Sequence, residues 1–189
     1  TQRRHWSLKR LLNSLNAANY AGHNVHIEIR VDKHDSEDHQ KTLEIARAFK
    51  FEHGSVDVHE STQTRGLQYV WFDAWTPKSE TERAIILEDD LEVSPLWFIW
   101  LQQAWTTYGS RDDLGSISIC KQPLRASDGG QIDKQVDAPF MYRMIGSWGF
   151  SPNARYWKPF VEWVRKVDIK TINIDVVGTV STAWHKASP

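Results

Sequence analysis

Ala84-Ile85-Ile86-Leu87-Glu88-Asp89-Asp90-Leu91-Glu92-Val93-Ser94-Pro95 is the stretch from which the rest of the chain can be read. Four consecutive apolar residues have the length and continuity of a central strand covered on both faces, and they run straight into three acids. Ser94-Pro95 then carries a helix-start signature, an N-cap hydroxyl followed by proline at the first helical position, with Leu96, Ile99, Trp100 and Leu101 behind it. Strand, acidic turn and helix in that order put three carboxylates at the carboxyl end of a strand, where open α/β sheets bind ligands.

Towards the N-terminus, Leu8, Leu11, Leu12 and Leu15 share one face of a helix over residues 6–20. Val25, Ile27, Ile29 and Val31 alternate with His26, Glu28 and Arg30, the period of a strand with one apolar face, and this strand stops at Asp32. A polar stretch leads into a second helix carrying Leu43, Ile45, Ala46 and Phe49, and Val56 and Val58 mark a short strand. A third helix is expected over residues 64–75, with Arg65 and Gly66 in its first turn and Pro77 closing it.

Towards the C-terminus, Ile117 and Ile119 mark a strand, residues 121–137 read as a long surface loop, and residues 140–145 as a further strand. Ser147-Trp148-Gly149 reads as a turn, and Ser151-Pro152 as a helix start whose helix Pro159 should break or kink. The alternation predicts an α/β chain with a mixed, mostly parallel sheet flanked by helices, forming a single domain over residues 1–189.

With 189 residues the chain can bury a sizeable core. Its formal charge of −1 argues against nucleic acid or an anionic membrane as main partner, and no apolar run reaches membrane-spanning length. One cysteine, Cys120, allows no intrachain disulfide and reads as a small buried hydrophobe; the eight histidines show no zinc-ligand spacing, and His34 and His39 read as a solvated face. Ten tryptophans could fill a core or offer flat faces to sugar rings, and Trp6, Trp71 and Trp163 have core spacing.

Adjacent carboxylates repel one another, so a chain has reason to keep three together when a hard cation compensates them; the plainer reading is a solvated acidic turn favouring the next helix. Asp32 reads either as a ligand contact at a strand end or as a turn residue, and Arg4 either as a phosphate contact or as a solvated first-turn side chain. Trp148 could stack on a sugar or sit buried at a strand–helix corner.

Residues 87–95 resemble the acidic motif of the N-acetylglucosaminyltransferase I family and related plant and algal glycosyltransferases of the GT-A (Rossmann-like) fold. Arg4, the strand ending at Asp32 and Gly146-Ser147-Trp148-Gly149 extend the resemblance over most of the chain. It implies an inverting transfer of a hexosyl or N-acetylhexosaminyl group from a nucleoside-diphosphate sugar, with UDP the expected nucleotide, to a carbohydrate or glycoconjugate hydroxyl. Mn²⁺ or Mg²⁺ on Asp90 would neutralise the leaving diphosphate. Asp89 would face the ribose, Glu88 the donor sugar, Asp32 the uracil edge and Arg4 the diphosphate, with Trp148 and Gly149 at the donor pocket.

Departures from the family pattern are equally informative. The Asp-rich, Trp-flanked segment that supplies the general base is not visible, leaving only Asp168 and Asp175 as weak candidates, and the fold's first strand is missing ahead of Arg4. The expectation is therefore a fragment without that first strand, with the base and acceptor segment beyond Pro189. Its compartment would be the Golgi lumen in a eukaryote or the cytoplasm in a bacterium. A sugar nucleotidyltransferase would share the acidic metal site but needs a Gly-rich phosphate loop that is absent here, whereas a non-catalytic carbohydrate-binding module would use the tryptophans but has no need for clustered acids.

Overall fold

The computed structural model describes residues 1–120, 124, 125, 127–132, 138–142, 146–168, 171 and 172. The chain is mixed α/β, opening with α1 (His5–Asn16), β1 (Val25–Val31), α2 (Glu37–Ala48) and β2 (Gly54–Glu60). β1 and β2 pair in parallel, Val25 opposite Gly54 and Val31 opposite Glu60. Ser36 caps α2 by accepting from the His39 amide, at 3.3 Å.

α3 (Leu67–Phe72), α4 (Trp97–Tyr108), β3 (Ser116–Ser118), β4 (Phe150–Pro152) and α5 (Ala154–Val164) complete the described elements. β3 and β4 are antiparallel, and Phe150 also exchanges two backbone hydrogen bonds with Ile86, at 2.7 and 3.0 Å. Parallel pairing is thus confined to β1 and β2 among the described residues, rather than prevailing throughout.

Residues 84–87 form this one bridge instead of a full strand, yet both faces are covered as their apolar run demands. Ile85 and Leu87 pack on the main core, which Leu8, Leu11, Leu12 and Leu15 of α1 share with Ile29, Val31, Leu43, Ala46 and the inner face of α4. Ile86 points the other way, into an aromatic core with Phe150, Trp157 and Val161. Trp71 stacks on Phe150 with centroids 5.1 Å apart. A buried relay fixes the segment: the Trp105 indole donates to Ser151 Oγ at 2.8 Å, which donates to the Ala84 carbonyl at 2.6 Å.

Several local expectations are corrected. α1 ends at Asn16, well short of residue 20. α3 starts only at Leu67, because Gly66, at φ 82°, is in a conformation that no helix contains, and it ends at Phe72, giving half the expected length. Ser94 and Pro95 sit in a turn before α4, which starts at Trp97. Ser151-Pro152 is the end of β4, and Asn153 caps α5 in its place, accepting from the Arg155 amide. Pro159 is carried inside α5 without ending it. Residues 140–142 have no strand, and 143–145 lie outside the described residues.

Two side-chain readings also change. Trp6, 73% exposed, and Trp163 are surface residues, whereas Trp71 belongs to the aromatic core as expected. His39 is wholly buried, because on α2 it shares the inward face with Thr42, Leu43 and Ala46. Its ring nitrogens meet the Gln2 carbonyl and Glu60 Oε1, both at 3.1 Å.

Candidate functional site

The acidic turn is held between α1 and β4. Along α1, Ser14 Oγ accepts from the Val93 amide at 3.1 Å and Arg10 donates to the Asp90 carbonyl at 3.0 Å, so the chain after the acids is sewn to that helix. On the other side the Ile86–Phe150 bridge sets the turn at residues 148 and 149 beside it. Gly149 lets this turn close on Ile119: its φ of 78° is strained for other residues, and a Cβ there would lie 2.3 Å from Ile119 Cγ1.

Each acid has a different environment. Asp89 is 4% exposed, and of the described carboxylates it alone has buried oxygens without a hydrogen-bond partner. Arg4 Nη2 approaches Asp89 Oδ1 to 2.5 Å as an ion pair lacking the direction of a hydrogen bond, while Arg4 Nη1 donates to Asp90 Oδ2 at 2.7 Å. Asp90 is open to solvent. Burial, then Asp90, pushes the Glu88 carboxyl above its ordinary range, against Arg4 and a hydrogen bond from Ser147. Arg4 holds its proton more tightly than usual because Asp89, Asp90 and Glu88 together outweigh its partial burial.

Asp32, buried at the end of β1, is already engaged. Its Oδ1 accepts from the Lys33 and Arg65 amides at 3.1 and 2.9 Å, and its Oδ2 from the Gly66 amide at 3.0 Å, so it anchors the loop before α3. The Asp32 amide donates to the Thr1 carbonyl at 2.9 Å, three residues before Arg4, which ties the end of β1 to the segment that reaches the acids. Arg65 is turned aside to Asp73, at 2.8 Å.

Trp148 is 60% exposed, which overturns the buried-corner alternative. With Leu91, Leu96, Trp100, Cys120 and Gly149 it lines a groove of about 540 Å³ alongside the acids. Trp100, Leu96 and Ser147 were not anticipated as site residues. Trp100 lies on the helix that follows the acids and Leu96 just before its first residue, the only sequence signal that could have found them. Asp168 is exposed and accepts through its carbonyl from Thr171, and Asp175 lies outside the described residues.

Among the described residues no group of three or more His, Cys, Asp or Glu side chains has the geometry to hold a metal ion. The donor set therefore does not suit a cage made by protein alone. It does suit a cation that takes one or two carboxylates here and its other oxygens from a bound diphosphate, since Asp89 offers unsatisfied buried oxygens and Asp90 an accessible carboxylate.

The family described as the SPBC1E8.03c C-terminal domain matches residues 6–165. The chain belongs to this family. Within the SPBC1E8.03c C-terminal domain match fall Asp32, the three acids, Trp148 and Gly149; Arg4 lies just before it, and Asp168 and Asp175 lie after it. No curated protein and no solved structure matches the chain.

Proposed function

We propose that this chain is the donor-binding part of a metal-dependent, inverting glycosyltransferase of the GT-A type, acting on a UDP-sugar and a carbohydrate hydroxyl. The observation that carries the reading is Asp89: its carboxylate is buried with no hydrogen bond and is balanced only by the Arg4 ion pair, a costly arrangement that a bound cation would complete. Its neighbours supply two further carboxylates and one guanidinium, matching a cation and a diphosphate.

In this reading Asp90, with Asp89 behind it, holds Mn²⁺ or Mg²⁺, which when bound neutralises charge on the departing diphosphate. Arg4 pairs with the phosphate oxygens through its planar fork of donors. Glu88, oriented by Ser147, accepts from a donor-sugar hydroxyl, and Trp148 offers its exposed face to a sugar ring. Asp32 keeps one lone pair, on Oδ2, beyond its three amide bonds, and that oxygen is the one left for a uracil N–H at this buried position. The acceptor's proton needs a base that the residues assembled here do not provide.

The exposed Trp148 and Trp100 favour a second reading, a carbohydrate-binding module without catalysis. Calorimetric titration of UDP, with Mn²⁺ and with chelator, into the chain and its Asp90→Ala variant separates the two. Binding that needs both the metal and Asp90 supports the transferase. Oligosaccharide binding without any metal-dependent UDP binding would replace it with the module.

A further inference from the structure

We propose that Arg4 is a built-in counter-ion: its guanidinium holds the acidic turn until a divalent cation arrives, and its release couples cation binding to capture of a nucleoside diphosphate. The inference rests on the donor-site reading above and adds to it a mechanism of coupling.

The argument begins with charge. Three carboxylates stand together, and Asp89 is shut off from water, so leaving it ionised without a nearby positive charge is unfavourable. Arg4 spans two of the three acids, at 2.5 Å to Asp89 and 2.7 Å to Asp90. Arg10 cannot substitute, since its contact with Asp90 is to the carbonyl.

Arg4 is also built to leave. Its side chain is half exposed, and its contact with Asp89 lacks hydrogen-bond direction. Its link to α1 runs through its backbone carbonyl, which accepts from the Leu8 amide at 2.9 Å, so the guanidinium can swing away without disturbing the helix.

A divalent ion brings twice the charge and can exploit the unsatisfied oxygens of Asp89, but it must first displace the guanidinium. Once displaced, Arg4 has five donors and no carboxylate, beside a site where phosphate oxygens complete a cation's shell. Cation and diphosphate therefore both favour the released position of Arg4, and each must raise the affinity of the other by the same factor.

The test titrates Mn²⁺ alone, and then Mn²⁺ with UDP, into the full chain and its Arg4→Ala, Arg4→Gln, Arg4→Lys and Asp90→Ala variants. Bound metal is read by electron paramagnetic resonance and by the shift in melting temperature. Arg4→Ala and Arg4→Gln should bind Mn²⁺ alone roughly tenfold more tightly than the parent and gain roughly tenfold less from UDP, keeping only the enhancement that direct phosphate–cation contact confers. Arg4→Lys, which keeps the charge, should restore weak binding of the bare ion.

If both neutral variants bind Mn²⁺ no better than the parent while Asp90→Ala abolishes binding, the counter-ion role is overturned and the donor-site reading survives. If no protein binds Mn²⁺ or UDP, both fall. Should Arg4→Ala fail to fold without metal, Arg4→Gln, which retains stem and polarity, decides the matter alone.

Discussion

Asp32 shows how one side chain can be committed before any ligand is considered. Three amides point at its two oxygens, two of them from residues more than thirty positions away. In Asp32→Asn one oxygen becomes an NH₂ group that repels at least one of those amides, while shape is preserved. The expected loss is about 1–3 kcal/mol of stability, read from urea unfolding, because a buried donor is left unpaired. Unchanged stability would mean that the loop before α3 is held by other contacts. The strand end was legible from the alternation of residues 25–31. The anchoring was not, because the amides of Arg65 and Gly66 arrive from a segment that local sequence does not connect to it.

At the scale of elements, local periodicity carried furthest where it was long. The opening α1–β1–α2–β2 order follows directly from Leu8 to Leu15 and from Val25 to Val31. β4 was missed because three residues show no period, and its existence depends on partners on either side, Ile86 and β3. The buried His39 was missed for a related reason: only its position on α2 reveals the inward face. That face closes on β2, where Glu60 accepts from His39, Lys33 and Arg47.

The His39 hydrogen bond first, and then Lys33, hold the Glu60 carboxyl below its ordinary range. A carboxylate whose folded value is depressed contributes stability above its unfolded value, near 4.5, and that contribution is lost as pH falls through the folded value. Thermal melts below about pH 4.5 should therefore fall more steeply for the parent than for Glu60→Gln, which should also melt lower at pH 7. Parallel acid limbs for the two proteins would show that the cluster does not link α2 to β2 in this way.

Across the whole molecule, the two cores share one segment. Ile85 and Leu87 face the main core and Ile86 the aromatic one, so neither core can dissolve without releasing the other's wall. Ile86→Ala should cost about 2–4 kcal/mol through lost burial and an unfilled cavity. For a chain of this size that lowers the melting temperature by roughly 2–4 °C per kcal/mol, in one transition rather than two. Two separated transitions in the variant would show that the cores fold independently. The acidic run was legible in the sequence because its apolar lead and three acids are contiguous. The groove beside it was not, since Trp148 and Trp100 meet only after the chain has turned back through β4.

The aromatic core has a practical corollary. Trp71 lies flat on Phe150, whose backbone is bonded to Ile86, only two residues before Glu88. Trp157 stands edge-on to the same pair, with its indole donating to the Trp75 carbonyl at 3.0 Å. A shift of the acidic turn carried through that bridge would change the packing around two native fluorophores, so their emission would gauge the proposed ligand site without a label.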